Sequence, residues 1–321
     1  MTASNKLHGK TAFVIGASAG LGKEIAKVLA SQCANVTIFA RRQTALNEAK
    51  EEILAARQDE GQTVMAVAAD MSTTANIRSA FNATGQLPDI LYCVAGGTPN
   101  ETGFLIDVEP EILEQCMYNN YFSSAFAAQE MLKRWTEDDK NAEVPARPRE
   151  RKIIFMNSAS ALAPTPGYAA YSPAKAAQRS LADLLRLEAM RYSGPVSEYK
   201  VQIVFTHIFI TDAALQTQTI KPELTKKFES SLGTPAELAK RYPSAEKIAI
   251  QIVEAAEKGD FAVMDSGANV QLIWANMMGT SPSRGWGIVD SVLAFLMGWV
   301  FWPSHRRWME RLCKGNALKR E

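Results

Sequence analysis

The stretch TAFVIGASAGLG, residues 11–22, joins a short apolar run to three closely spaced glycines. Glycine loses more backbone freedom on folding than any other residue, so three of them indicate a special conformation. An amphipathic stretch from Leu21 to Ser31 follows and predicts a helix. The N–H groups at the start of such a helix are unpaired and can bind a phosphate. The motif therefore predicts an anion site, although a plain strand-to-helix turn has the same signature.

Short apolar runs alternate with helical patterns along most of the chain. Further runs include NVTIFA, TVMAVAAD, DILYCVAGG, KIIFMN, VQIVF and FAVMD. Strands with helices between them predict parallel pairing, and near-continuous apolar strands predict a sheet buried on both faces. The expected fold is α/β, a Rossmann-type doubly wound sheet of about seven strands over residues 1–265. The charged stretch 136–151 is interpreted as a solvated insertion in this domain, and residues 266–321 as a separate C-terminal segment.

The composition excludes several classes of protein. The 35 Lys and Arg nearly balance the 34 Asp and Glu, which gives no basic field for nucleic acid. The four cysteines are widely separated and form no CxxC pair, so neither a disulfide framework nor a metal site is expected. The polar N-terminus leads directly into a strand, and no secretory signal is predicted.

The end of the second predicted strand reads FARR, with Ala40 followed by Arg41 and Arg42. Dinucleotide sites for NAD commonly carry an acidic residue there, which binds the adenosine ribose hydroxyls. A guanidinium instead favours the 2′-phosphate of NADP(H), whereas two surface arginines at a helix start are the alternative. Asp70 ends the third strand and either accepts a hydrogen bond from the adenine or simply forms a turn.

The motif YSPAK places Tyr171 and Lys175 four residues apart, on one face of a predicted helix. Pro173 suits the first turn of that helix, where its missing N–H is harmless. Ser158 ends the strand KIIFMNS, thirteen residues before Tyr171. Each residue alone has an ordinary structural explanation, but the three occur together with the glycine loop.

Residues 8–265 resemble the short-chain dehydrogenase/reductase family, whose signature is this glycine spacing followed by Ser, Tyr and Lys in this order. The resemblance implies that Tyr171 protonates a substrate carbonyl, that Ser158 donates to the developing alkoxide, and that Lys175 lowers the pKa of Tyr171 towards neutrality. It also implies that Asn120 holds a relay water. Asn119 and Ser160 compete for the roles of Asn120 and Ser158.

The same resemblance implies a set of cofactor-binding positions. The family's NNAG after the fourth strand is CVAG here, and its Pro-Gly before Thr211 is replaced by Ile208 and Phe209. With these departures, the implied positions are Gly16, Ser18, Ala19, Gly20, Leu21, Gly22, Arg41, Arg42, Asp70, Met71, Ala95, Gly96, Tyr171, Lys175 and Thr211.

After Thr211 the chain reads TQTIKPELTKKFES and then PSAEKIAIQIVEAAEKGDFAVMDSG, followed by an apolar stretch and a basic tail. These features resemble one branch of the family, the 3-ketodihydrosphingosine reductases. That resemblance implies NADPH-dependent reduction of a long-chain sphingoid ketone at the endoplasmic reticulum membrane, with the catalytic domain facing the cytosol. Residues 212–241 are predicted to form a mobile lid over the substrate. Another lipophilic carbonyl (a retinoid, a steroid or a 3-ketoacyl chain) and a non-catalytic NADP(H)-sensing scaffold are the alternatives, and a homo-oligomer is left open.

The C-terminal stretch WGIVDSVLAFLMGWVFW, residues 286–302, is apolar, carries three tryptophans and precedes a basic tail. Its apolar run falls short of a confident membrane span, while tryptophan and basic residues are typical of a membrane interface. A cytosolic basic tail and a cytosolic catalytic domain are incompatible with one full crossing. We therefore predict a re-entrant or in-plane membrane anchor, with a buried dimer-forming helix as the alternative.

Overall fold

The computed structural model describes residues 7–97, 99–264 and 287–315 of the 321-residue chain. Seven strands form one parallel sheet in the order β3-β2-β1-β4-β5-β6-β7. The predicted doubly wound sheet is thereby confirmed. The strands are β1 Thr11–Ile15, β2 Asn35–Ala40, β3 Val64–Ala68, β4 Ile90–Cys93, β5 Arg149–Ser158, β6 Ser197–Thr206 and β7 Ala262–Met264.

Ten helices accompany the sheet, and two more follow it near the C-terminus, among the described residues. They are α1 Gly20–Ser31, α2 Gln43–Ala55, α3 Thr74–Ala83, α4 Pro110–Met117, α5 Ser123–Asn141, α6 Tyr171–Tyr192, α7 Asp212–Ile220, α8 Glu223–Phe228, α9 Pro235–Arg241, α10 Ala245–Lys258, α11 Ile288–Leu296 and α12 Trp302–Gly315. A π-helical segment, Tyr118–Phe122, joins α4 to α5, and another, Met297–Phe301, joins α11 to α12.

The sheet has an apolar cluster on each face because side chains alternate along every strand. Val14 and Ile38 face α1 and α10 on one side, while Phe13 and Phe39 face α3 and α5 on the other. The rings of Phe13, Phe39 and Phe81 lie 5.1–5.5 Å apart. Burial on both faces explains the near-continuous apolar strands and fixes their carboxyl ends along one edge.

The charged stretch 136–151 is only partly a loop. Its first residues are the last turns of α5, and its last residues begin β5. Arg149 lies 3.0 Å from Asp138, and the buried Arg151 contacts both Asp138 and Asp139. Pairing across the two elements satisfies charges that the sequence suggested were fully solvated.

The predicted lid, residues 212–241, is helical rather than a loop. It comprises α7, α8 and α9, and α9 begins with a capping box formed by Thr234 and Glu237. Glu229 accepts hydrogen bonds from Tyr168 Oη at 2.5 Å and Lys221 Nζ at 2.6 Å. Local caps and buried polar contacts therefore order this segment, and its role as a lid stays a prediction.

The C-terminal helices form one continuous helical stretch. Residues Ile288–His305 have a mean hydropathy of 1.2 over 18 residues, which by length and composition is enough to cross a membrane. The apolar side chains of Ile288, Val292, Phe295 and Trp299 are exposed along one stripe. Residues 266–286 and 316–321 of the predicted segment lie outside the described residues.

Candidate active site

The glycine loop lies between the ends of β1 and β4, where only glycine fits. Gly16 has φ +84°, and a Cβ there would lie 2.6 Å from Ala95 Cα. A Cβ on Gly22 would lie 2.3 Å from the Gly16 carbonyl oxygen, although Gly22 itself is an ordinary helical residue. The loop is thus packed tightly against its neighbours on its inner side. Its outer side, which consists of backbone, lies at the end of the sheet.

Helix α1 begins in this loop without a side-chain cap. Ala19 is its N-cap residue and has no side chain that can accept a hydrogen bond, and no acidic residue lies in its first turn. The backbone N–H groups at this end and the positive end of the helix dipole therefore suit an anion. The cradle of Gly16, Ser18, Ala19 and Gly20 fits the phosphates of a dinucleotide, whereas Leu21 and Gly22 pack into the core.

The predicted adenosine contacts lie at the ends of β2 and β3. Arg41 and Arg42 are exposed at the start of α2, and the Gly16 N–H donates to Phe39 O of β2 at 2.8 Å. Asp70 Oδ1 accepts a hydrogen bond from the Ser72 N–H at 3.0 Å, as expected if Asp70 forms a turn. Met71 is buried. The structure thus brings both arginines near the glycine loop.

Ser158, Tyr171 and Lys175 come together where β5 ends and α6 begins. Ser158 is the last residue of β5 and forms a hydrogen bond with Tyr171, the first residue of α6. Lys175 is buried, donates to Met156 O at 2.9 Å and holds its Nζ 5.6 Å from the centre of the Tyr171 ring. The helical spacing of four residues places both side chains towards the strand end.

The acidification of Tyr171 by Lys175 stays a prediction, since it concerns the site with its cofactor bound. Burial raises the pKa of Tyr171 above its usual value, and the Glu101 carboxylate raises it further. The hydrogen bond with Ser158 acts in the opposite direction but is weaker. Tyr171 is therefore protonated at neutral pH, which is the state a proton donor needs.

Asn120 lies fully buried in the π-helical segment beside these residues. Its Nδ2 donates to Glu101 Oε2 at 3.0 Å and Cys116 O at 3.1 Å, and its Oδ1 accepts from the Gly97 N–H at 3.2 Å. A Cβ on Gly96 would lie 2.1 Å from Asn120 Oδ1. Asn119 is partly exposed instead. The side chain of Asn120 thus braces the loop after β4, and its relay role remains a prediction.

Thr211 lies beside Gly20 of the glycine loop. It caps α7 by accepting from the Ala214 N–H at 3.0 Å, and its Cγ2 would be 3.5 Å from a Cβ on Gly20. The start of the predicted lid therefore adjoins the predicted phosphate cradle.

Sequence comparison identifies the family. Residues 10–219 match the protein family described as short chain dehydrogenase. The chain belongs to the short chain dehydrogenase family. It is therefore an oxidoreductase, as the motifs indicated.

Curated relatives of this short chain dehydrogenase extend over most of its length. It is 32% identical over 311 residues to the 3-ketodihydrosphingosine reductase of Aspergillus fumigatus, which covers 92% of the chain and 81% of that relative. It is 30% identical over 312 residues to the PIGF/3-ketodihydrosphingosine reductase fusion protein of Schizosaccharomyces pombe. That match covers 97% of the chain but only 58% of the fusion protein.

Solved structures share the fold of this short chain dehydrogenase. A short chain dehydrogenase/reductase from Burkholderia phymatum in complex with NAD superposes with a TM-score of 0.64 at 19% identity, covering 84% of this chain and 92% of that one. A short chain dehydrogenase from Bacillus anthracis gives 0.61 at 23% identity, covering 79% and 94%. At these identities the likeness concerns the fold.

Sequence reasoning missed three polar residues that connect the site. Asn157 Nδ2 donates to Lys175 O at 2.8 Å and to Gln178 Oε1 at 3.0 Å. Gln178 Nε2 in turn donates to Asn120 O at 3.1 Å. Glu101, the third, binds the Asn120 side chain. Gln178 lies two turns after Tyr171 on the same helix face, and this spacing is the only signal that the sequence offered for it.

We expect Lys175 to lower the stability of this short chain dehydrogenase at neutral pH. Burial lowers its pKa from 10.5 to about 8. Between these values the unfolded chain keeps a proton that the folded chain has lost, so the free energy of unfolding rises with pH through this window. A Lys175→Met variant should gain on the order of 3 kcal/mol at pH 7, with the gain shrinking towards pH 10.

Thermal unfolding of both proteins at pH 7 and near pH 10 measures this difference. Other groups titrate alike in the two proteins and cancel in the comparison. An equal Tm difference at both pH values would contradict the prediction.

Proposed function

We propose that this chain reduces 3-ketodihydrosphingosine to dihydrosphingosine, a step of sphingolipid synthesis. The observation that carries the proposal is the match to named 3-ketodihydrosphingosine reductases over 92–97% of the chain. The convergence of Ser158, Tyr171 and Lys175 at one strand end supports it, because carbonyl reduction needs a proton donor beside a hydrogen-bond donor.

Each residue of the site has a separate role in reduction of the ketone. A bound nicotinamide cofactor supplies the hydride. Tyr171 donates its phenolic proton to the carbonyl oxygen, and Ser158 donates a hydrogen bond to the same oxygen as negative charge develops. The Lys175 ammonium lies over the Tyr171 ring and stabilises the tyrosinate that proton transfer leaves behind. Asn120 and Gln178 hold the backbone around these groups in place.

Turnover of the purified chain in lipid vesicles tests the proposal. NADPH absorbance should fall when 3-ketodihydrosphingosine is added, and dihydrosphingosine should accumulate in equal amount. A steroid ketone, retinal and a 3-ketoacyl thioester serve as comparison substrates. Turnover of one of these without turnover of the sphingoid ketone would assign the chain to another lipophilic carbonyl.

We expect Arg41 and Arg42 to select NADPH over NADH. Both are exposed at the end of β2 beside the glycine loop, where a guanidinium can pair with a 2′-phosphate. Changing both to alanine should raise the KM for NADPH by about 10–100-fold and leave the KM for NADH unchanged. Arg147→Ala, at another exposed arginine, is the matched control. An equal loss for both cofactors would contradict this selectivity.

The proposal also places residues 1–265 as the catalytic domain, with α7–α9 as its lid, and residues 266–321 as an anchor in the endoplasmic reticulum membrane. The rings of Trp308 in α12 and Phe228 in α8 lie 5.1 Å apart at right angles. This contact supports an arrangement in which one end of the apolar helix lies on the same side of the membrane as the catalytic domain. A re-entrant or in-plane anchor meets that condition with both the domain and the basic tail in the cytosol.

We expect the exposed stripe that runs from α11 into the π-helical segment Met297–Phe301 to carry membrane binding. Phe295 and Trp299 stack 5.8 Å apart and are 60% and 74% exposed. Changing both to alanine should weaken binding to vesicles by at least about tenfold, because two aromatic side chains leave the membrane interface. Met190→Ala, which removes an exposed apolar side chain from α6, should have little effect. Flotation of the full chain with vesicles of neutral and anionic lipid measures the difference, and equal flotation of all variants would contradict it.

A further inference from the structure

Glu101 places a carboxylate inside the reductase site. It ends the short 3-10 helix Pro99–Glu101, close after the loop that follows β4, and only 3% of its surface is exposed. Asn120 donates to it at 3.0 Å. Helix α7 of the lid packs against this 3-10 helix. Glu101 therefore lies where α7, the loop after β4 and Asn120 come together.

The charge of Glu101 acts on both titratable groups of the site. It raises the pKa of Tyr171 and opposes the lowering of the Lys175 pKa by burial, and on each it is the largest influence after burial. Glu229 acts more weakly on Tyr171 and is paired with Lys221 at 2.6 Å. Glu101 is thus the main anionic influence on the reacting groups among the described residues.

A buried carboxylate at this place is unfavourable for the reduction of a neutral ketone. Negative charge develops on the carbonyl oxygen during the reaction, and a nearby anion of fixed position disfavours it. The disadvantage disappears when the substrate itself carries a positive charge close to the carbonyl. The Lys175 ammonium offsets part of the Glu101 charge, and an ammonium on the substrate next to its carbonyl would offset it further.

We infer that the Glu101 carboxylate binds the ammonium group of an α-amino ketone substrate. The inference rests on the proposed function, since a sphingoid ketone carries an amine on the carbon next to its carbonyl. An amine in such a position titrates near neutrality, as the peptide α-amino group does at about 7.7–8.0. A nearby carboxylate favours its charged form. Glu101 then orients the carbon that bears the amine, so that one face of the ketone is presented to the hydride donor.

A purely structural role for Glu101 predicts a different dependence of activity on the substrate. If the carboxylate serves only to hold Asn120 or to balance Lys175, its replacement affects every ketone alike. If it binds the ammonium, the loss is confined to substrates that carry one. The ratio of kcat/KM for two substrates that differ only in the amine separates the two roles, because a structural defect cancels in that ratio.

The experiment compares the full chain with Glu101→Gln in vesicles, using 3-ketodihydrosphingosine and the hydroxyketone of equal length that lacks the amine. Glutamine keeps an oxygen that can accept from Asn120, so the fold should be retained, and thermal unfolding checks this. We expect the ratio of kcat/KM, amine substrate over neutral substrate, to fall by at least about tenfold in the variant. Glu109→Gln, at an exposed carboxylate of the same segment, should leave the ratio unchanged.

Two further outcomes overturn the inference. An equal change of kcat/KM for both substrates would assign Glu101 to the support of Asn120 or Lys175. A variant that lost more activity on the neutral ketone would reverse the expected electrostatics. Failure of the proposed function is distinguishable from both, because the unmodified chain would then not turn over the sphingoid ketone.

Discussion

Tyr171→Phe is expected to lower turnover of the sphingoid ketone by about 10²–10⁴-fold, the usual contribution of a general acid. The change removes only the hydroxyl that forms a hydrogen bond with Ser158. The ring keeps its contacts with Tyr168, at 5.7 Å, and with Lys175, at 5.6 Å. Folding and NADPH binding should therefore survive, so that the loss appears in kcat rather than in Tm.

A matched control lies at the other end of the same helix. Tyr192 is 40% exposed, and its hydroxyl contacts only the side chain of Glu188 among the hydrogen bonds of the described residues. Tyr192→Phe should leave turnover unchanged. If Tyr171→Phe also retained full activity, the site would not act by proton donation, and a non-catalytic NADP(H)-sensing scaffold would explain the chain better.

Gly22→Ala is expected to lower Tm by about 5–10 °C and to weaken NADPH binding by more than tenfold. The added Cβ would lie 2.3 Å from the Gly16 carbonyl oxygen and 2.9 Å from its carbon, and both are backbone atoms that cannot rotate away. Helix α1 must then move away from the glycine loop. That movement displaces the N–H groups that fit the phosphates.

Gly194→Ala is the control for this second prediction. Gly194 lies just after α6 and its C-cap residue Ser193. Apart from its chain neighbours, it has no heavy atom within 4 Å of an added Cβ. It should leave Tm and NADPH binding almost unchanged. Differential scanning calorimetry and titration with NADPH measure both quantities. A Gly22→Ala protein with normal Tm and normal NADPH affinity would show that the helix and loop are less tightly packed than the structure indicates.

Local sequence patterns predicted the fold and the position of the main site residues. Parallel strands that end at one edge bring their terminal residues together, so Gly16, Ser158 and the helix carrying Tyr171 had to converge. The helical spacing of Tyr171 and Lys175 then fixed their common face. These features depend on a few residues at fixed spacing.

Electrostatic properties of the site could not be predicted in the same way. The pKa of Tyr171 depends on burial and on Glu101, which ends a short 3-10 helix that no periodic pattern predicts. Residues 212–241 were interpreted as a mobile lid, yet caps at Thr211 and Thr234 and the contacts of Glu229 order them. The partners of Arg151 in β5, Asp138 and Asp139, likewise lie in a different element, α5, and residues 142–148 form the loop between the two.

The aromatic contact between Phe228 and Trp308 affects how the enzyme should be prepared. A shortened protein that ends after β7 would be simpler to handle in water, but it would leave Phe228 without this ring neighbour. Helix α8 has only six residues, and Thr225 joins it to the chain before the reactive tyrosine through a hydrogen bond to Pro166 O at 2.9 Å. Kinetic constants measured on such a fragment would therefore describe a protein whose predicted lid has lost one of its contacts.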